Sequence, residues 1–182
     1  MLELPDKLDE LFRELSRGRH ISGNDTDLFA ALEQRPDDYV AVFKALGFEL
    51  VHDGRGFYYF YGSSRGIAGN VQRLALFVYI LIDHLADGGE SITEALAGKA
   101  FSVASLPHLS SDRYRGYLAQ VDVTSADGVT DILRVLENLG FIRQMGDGCF
   151  RFLPPVHRLV DACVASGLDT ERGEPVTDKD TP

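Results

Sequence analysis

Gly62-Ser63-Ser64-Arg65-Gly66 matches G-x-S-x-G, the pattern in which a sharp turn after a strand lifts a nucleophilic serine hydroxyl for acyl transfer. That chemistry needs a broad parallel sheet behind Ser64, with an acid and a histidine downstream. This chain offers short hairpins instead, and His84, His108 and His157 fall in a helix, a loop and near a helix start. The stretch therefore reads as a Gly/Ser linker. His20 and His52 complete a set of five widely spaced histidines with no HxxxH pair, and Cys149 and Cys163 form no CxxC. The two cysteines read as buried thiols of a reduced chain. A Walker phosphate loop and a GxGxxG fingerprint are both missing, so no catalytic residue, metal ligand or cofactor is expected.

What the sequence does contain is a repeat. Val42 to Phe60, VFKALGFELVHDGRGFYYF, returns at Val135 to Leu153 as VLENLGFIRQMGDGCFRFL. Tyr39, Val42, Phe43 and Leu46 precede Gly47-Phe48 at the offsets that Ile132, Val135, Leu136 and Leu139 keep before Gly140-Phe141. Such spacing predicts a helix closed by a glycine, and the Gly-rich turns and aromatic strands that follow predict a hairpin. Aligned on the glycines, Phe57 and Tyr59 correspond to Phe150 and Phe152, which makes theirs the expected core face. Alternation then sends Tyr58 and Phe60 to the opposite face, either a second packing surface inside the protein, against Leu74 to Ile82, or an outer surface for a partner.

The elements around the repeat follow in order. Leu8, Leu11, Phe12 and Leu15 predict a first helix from Pro5 to about Gly18, followed by the short extended Arg19-His20-Ile21. A second helix starts near Asn24 and breaks at Arg35-Pro36, and a third runs from Pro36 to about Leu46. Helix, strand, helix, helix and hairpin is the order of a winged helix. Asn70 caps a long helix to about Ala86 whose stretch Leu74 to Ile82 is apolar on every side, reading as a junction between halves or a dimer seam. Phe77 and Tyr79 are its aromatic interface candidates. Ser91-Ile92-Thr93-Glu94 is a capping box for a helix to about Lys99. After Pro107 comes Tyr114 to Val121, whose type the sequence leaves open, then the second copy from about Ser125 and a last helix after Pro154-Pro155. The expected organisation is mainly α with small β-hairpins (α+β): a first winged helix over 1–62, linker and connecting helix over 63–86, a second winged helix over 87–166, and an acidic disordered tail over 167–182.

Charge limits the function. The formal net charge is −10, unlike the basic footprint of an autonomous nucleic-acid binder. A winged-helix transcription regulator is the competing reading, yet the helices before the hairpins carry Asp37 and Asp38 against Lys44, and Asp127, Asp131 and Glu137 against Arg134 and Asn138. Acids facing phosphate disfavour groove reading. Nothing at the start reads as a signal sequence, and Leu74 to Ile82 is too short to cross a bilayer. A cytoplasmic protein without membrane contact is expected.

GRHIS at Gly18 to Ser22, DLFAAL at Asp27 to Leu32, Tyr39-x-x-Val42-Phe43, LGFELVHD at Leu46 to Asp53 and GFYYF at Gly56 to Phe60 together resemble the MukE/MksE family. These are the small accessory subunits of MukBEF- and MksBEF-type bacterial condensins, with relatives in Wadjet plasmid-defence systems. The similarity is strongest over Leu8 to Phe60. It implies tandem winged helices, a homodimer, binding of a MukF/MksF-like kleisin, and through it association with a MukB/MksB-like SMC ATPase. It also implies weak, sequence-independent DNA contact within a nucleoid-associated complex, serving chromosome organisation or plasmid defence. On that reading ATP hydrolysis belongs to another subunit. Arg55, Arg65, Arg73, Arg113 and Arg115 are the DNA-contact candidates, and Tyr58 and Phe60, as outer-face aromatics, are the candidate anchors for the kleisin or a second protomer.

Overall fold

The computed structural model describes residues 4–62 and 70–171. Its elements come in two runs. The first is α1 (Leu8–Ser16), β1 (Ile21–Ser22), α2 (Thr26–Gln34), α3 (Pro36–Ala45), β2 (Glu49–Asp53) and β3 (Phe57–Tyr61). The second is α4 (Val71–Asp87), α5 (Ile92–Gly98), β4 (Ala100–Ser102), a 3-10 turn (Val103–Ser105), α6 (Asp112–Ala119), α7 (Ala126–Asn138), β5 (Ile142–Gly146), β6 (Cys149–Phe152) and α8 (Val156–Glu171). Each run folds a three-stranded antiparallel sheet, ordered β1-β3-β2 and β4-β6-β5. The protein is thus α+β, with small sheets among helices.

Local chemistry sets the helix ends. Pro36 opens α3 after the non-helical Arg35, and the Ser91 and Ser125 side chains accept from the Glu94 and Gly128 N–H groups at the starts of α5 and α7. Gly47 and Gly140, at φ +83° and +77°, close α3 and α7 identically. Phe48 N–H donates to Phe43 C=O at 2.9 Å, and Phe141 N–H to Leu136 C=O at 2.8 Å, the reversal that a left-handed residue permits.

Two apolar clusters hold the halves. In the first, Leu11 and Leu15 of α1 meet Leu32, Phe43, Tyr58 and Phe60. In the second, α4 is the spine: Leu74, Phe77, Val78, Ile80, Leu81 and Leu85 are buried among α5, α6, α7 and α8. A helix apolar all round implied contacts on several faces, and it has them. Those contacts build the second core, with α4 at its centre.

The faces of β3 are the reverse of what the glycine alignment predicted. Tyr58 and Phe60 point into the first core, and Phe57 and Tyr59 lie on the other face. The pairings Leu50↔Phe60 and His52↔Tyr58 match Ile142↔Phe152 and Gln144↔Phe150. Strand positions therefore differ by 92 (152 − 60), whereas the glycines differ by 93 (140 − 47). In the first copy the exposed Glu49 stands between Phe48 and the first inward strand residue, Leu50; in the second, Ile142 turns inward directly after Phe141. A one-residue slip exchanges the faces of a strand.

Candidate functional site

The chemistry-bearing residues do not converge on a cleft. Ser64 lies outside the described residues. His52 stacks on Tyr58 at 4.3 Å beside Glu33, and His108 is buried against Phe77 at 4.1 Å, its Nε2 2.9 Å from Phe77 C=O. Among the described residues no group of three or more His, Cys, Asp or Glu could hold a metal ion. Cys149 and Cys163 are free, and burial raises the Cys163 thiol pKa.

His20 organises the contact between the two halves. Its N–H donates to Leu139 C=O at 2.9 Å, and its ring lies 4.6 Å from Phe141 and 5.5 Å from Tyr59. Arg158 of α8 donates to Nε2 at 2.6 Å and sits over the Tyr59 ring at 3.7 Å. A guanidinium can only donate, so Nε2 must present its lone pair and Nδ1 must carry the proton that reaches Leu139 C=O at 3.1 Å. The imidazole is neutral, its pKa lowered to about 4 by burial and by the Arg158 charge. Gly140 is where the backbones meet most closely, since a Cβ there would lie 2.4 Å from His20 C=O. Arg19 spans the same joint, donating to the Glu137 and Asn138 carbonyls while paired with Asp25 at 2.6 Å.

Four of the five arginines named from sequence are engaged by the chain itself. Arg55 binds Asp53 at 2.8 Å and Asp161 at 2.9 Å, and its hydrogen bonds hold the Asp53 carboxyl down at about 2. Arg73 donates to Val121 C=O at 2.9 Å. Arg113 faces Asp83 at 3.1 Å and Asp87 at 3.6 Å over the Tyr114 and Tyr117 rings, and Arg115 pairs with Asp112. Arg65 lies outside the described residues. Four of the five therefore form no free basic track. Sequence reasoning missed Arg143 and Arg151, which stand opposite each other on β5 and β6, both exposed and without a carboxylate partner among the described residues. Their outward positions in IRQMG and CFRF were the available signal.

The aromatic anchors also move. Tyr58, Phe60 and Phe77 are core residues, with Tyr58 O–H donating to Glu33 at 2.6 Å; buried in this way they present no surface to a partner. Tyr79 is exposed, 6.5 Å from Tyr117. Open apolar surface lies at the end of α3, where Leu46 lines a cavity with Leu4, Phe12 and Phe43 and Val40 lines a separate groove. Leu46 is 57% exposed, Val40 is also exposed, and a groove of about 600 Å³ runs past Val40, Lys44, Gly47, Phe48, Glu49 and Leu50. β2 is the outer strand of its sheet, so its far edge is unpaired by any described strand.

The molecule is α+β and built twice from one helix–strand–helices–hairpin plan, with an internal joint at His20. The chain belongs to the MksE family: the model for "Condensin complex protein MksE" matches residues 6–164. Membership implies a subunit of a condensin complex. No curated protein matches the chain. No helix among the described residues is long and apolar enough to cross a membrane.

Proposed function

We propose that this chain is a non-catalytic adaptor of an SMC-type condensin: two winged helices in tandem, working as a homodimer, that bind the kleisin and through it the SMC ATPase. Family membership over residues 6–164 is the observation that carries this reading. The repeated strand orders β1-β3-β2 and β4-β6-β5, each with helices before the hairpin, support the winged-helix assignment. The complex acts on DNA in the nucleoid, organising chromosomes or excluding plasmids. DNA contact falls to Arg143 and Arg151, exposed arginines without a carboxylate partner among the described residues, rather than to α3 or α7, whose Asp37, Asp127 and Asp131 are exposed.

The test is co-elution. Mixed with its kleisin and run on a sizing column, the chain is expected to emerge with the kleisin in one peak. Separate peaks at micromolar concentrations would remove the adaptor reading.

A further inference from the structure

The internal repeat supplies two versions of one surface, and only one of them is covered. In the second copy, the helix end Leu139-Gly140-Phe141 lies under the extended segment Gly18 to Ile21. The His20 N–H takes the Leu139 carbonyl, the His20 carbonyl presses on the bare Cα of Gly140, and the His20 ring packs on Phe141. Leu139 is 4% exposed, its side chain part of the second core. In the first copy the same three positions are Leu46-Gly47-Phe48, closing the same helix in the same left-handed turn. Leu46 there is 57% exposed, nothing lies within 4 Å of the place a Gly47 Cβ would occupy, and no backbone bond from a described residue reaches the Leu46 carbonyl.

We infer that the groove beside this helix end, lined by Val40, Lys44, Gly47, Phe48, Glu49 and Leu50, is a docking site for an extended segment of the kleisin, bound as Gly18 to Ile21 binds Leu139-Gly140-Phe141. This rests on the adaptor reading and gives it a location. The segment donates a backbone N–H to the Leu46 carbonyl, lays its chain across Gly47, and packs a flat or branched side chain against Val40 and Phe48. Continuing past Glu49 and Leu50, it lies beside the open edge of β2 and can extend the sheet by main-chain hydrogen bonds.

Other occupants fit less well. A second copy of this chain has no spare equivalent of Gly18 to Ile21, because its own is seated at its own joint. Residues 172–182, RGEPVTDKDTP, carry five charged side chains around a single branched apolar one, Val176, a composition that suits an apolar floor poorly. The floor that meets the visitor is apolar, with Lys44 and Glu49 at its rim. That calls for an extended segment with an apolar or aromatic side chain, and excludes a highly charged strand such as nucleic acid.

The experiment measures kleisin affinity for the full chain and for Leu46→Glu and Val40→Glu, which alter exposed positions and are expected to melt like the parent. A photo-crosslinker placed at Lys44 reports the neighbour. The expected result is a loss of at least about tenfold in affinity for each variant, as for a truncated anchor at an interface centre, with the crosslink on an extended kleisin segment. If the parent binds kleisin and both variants bind within twofold of it, the groove assignment is overturned while the adaptor reading stands. If the parent does not bind kleisin, both fall. Crosslinks between two copies of this chain, with a monomeric Leu46→Glu, would make the groove a dimer seam and overturn the inference. So would an Ile67→Ser variant with the same kleisin loss and a crosslink from Lys44 to residues 63–69, which would place the chain's own linker in the groove.

Discussion

Lowering the pH from about 7.5 to about 5 is expected to weaken the fold through two buried, neutral histidines. His20 is 1% exposed and His108 is fully buried. Burial is the main cause that lowers each pKa from 6.5 to about 4, aided at His20 by Arg158. Unfolding returns each imidazole to about 6.5, so below that value the unfolded chain takes up protons that the folded chain refuses. Stability is therefore complete above about pH 6.5 and is lost as the pH falls toward 4. At pH 5 the linkage comes to about 2 kcal/mol for each histidine, and about 4 kcal/mol for both. Urea unfolding followed by circular dichroism at the two pH values measures the total. His20→Gln and His108→Gln each remove one titrating group and should cut the pH-dependent part by about half, whatever they do to stability at neutral pH. A pH-independent midpoint, or a pH response that neither substitution reduces, would refute the neutral-imidazole joint.

Other consequences are separately measurable. Gly47→Ala should cost about 1–2 kcal/mol for its left-handed backbone alone; Gly140→Ala should cost clearly more, since its Cβ would meet His20 C=O at 2.4 Å, and equal costs in denaturant titrations would contradict the close approach. Phe60→Ala should lose about 3–5 kcal/mol as a core truncation, whereas Tyr61→Ala, at an exposed position, should stay within about 0.5 kcal/mol; the opposite order would restore the face assignment made from the glycine alignment. For DNA contact in the assembled complex, Arg143→Gln with Arg151→Gln should flatten the dependence of log affinity on log salt by about 1.8, or 0.9 per phosphate. Arg113→Gln with Arg115→Gln removes the same charge and should change it little. Equal slopes for the two double variants would dismiss the hairpin site.

Much of the architecture is local and was legible as such. Glycine ends at Gly47 and Gly140, the Arg35-Pro36 break, the Ser91 cap and both hairpins follow from side-chain spacing and backbone preference within a few residues. The faces of β3 were not legible, because the copies differ by one residue between glycine and strand and a period-two pattern has no tolerance for a slip. GRHIS looked like a short link between helices. Only the tertiary structure brings His20 to Leu139, Phe141 and Arg158, which are more than a hundred positions away. Arginine availability was equally hidden: Arg55 is tied to Asp161 across the joint and Arg113 to Asp83, pairings that no window of sequence displays. The exposure of Leu46 against the burial of its repeat partner Leu139 is the same lesson in apolar form.

The adaptor claim is tested most directly by single-molecule DNA compaction with the SMC ATPase and kleisin, with and without this chain. ATP-dependent shortening of DNA is expected only when the chain is present, and none with the chain alone. Full compaction in its absence would contradict it.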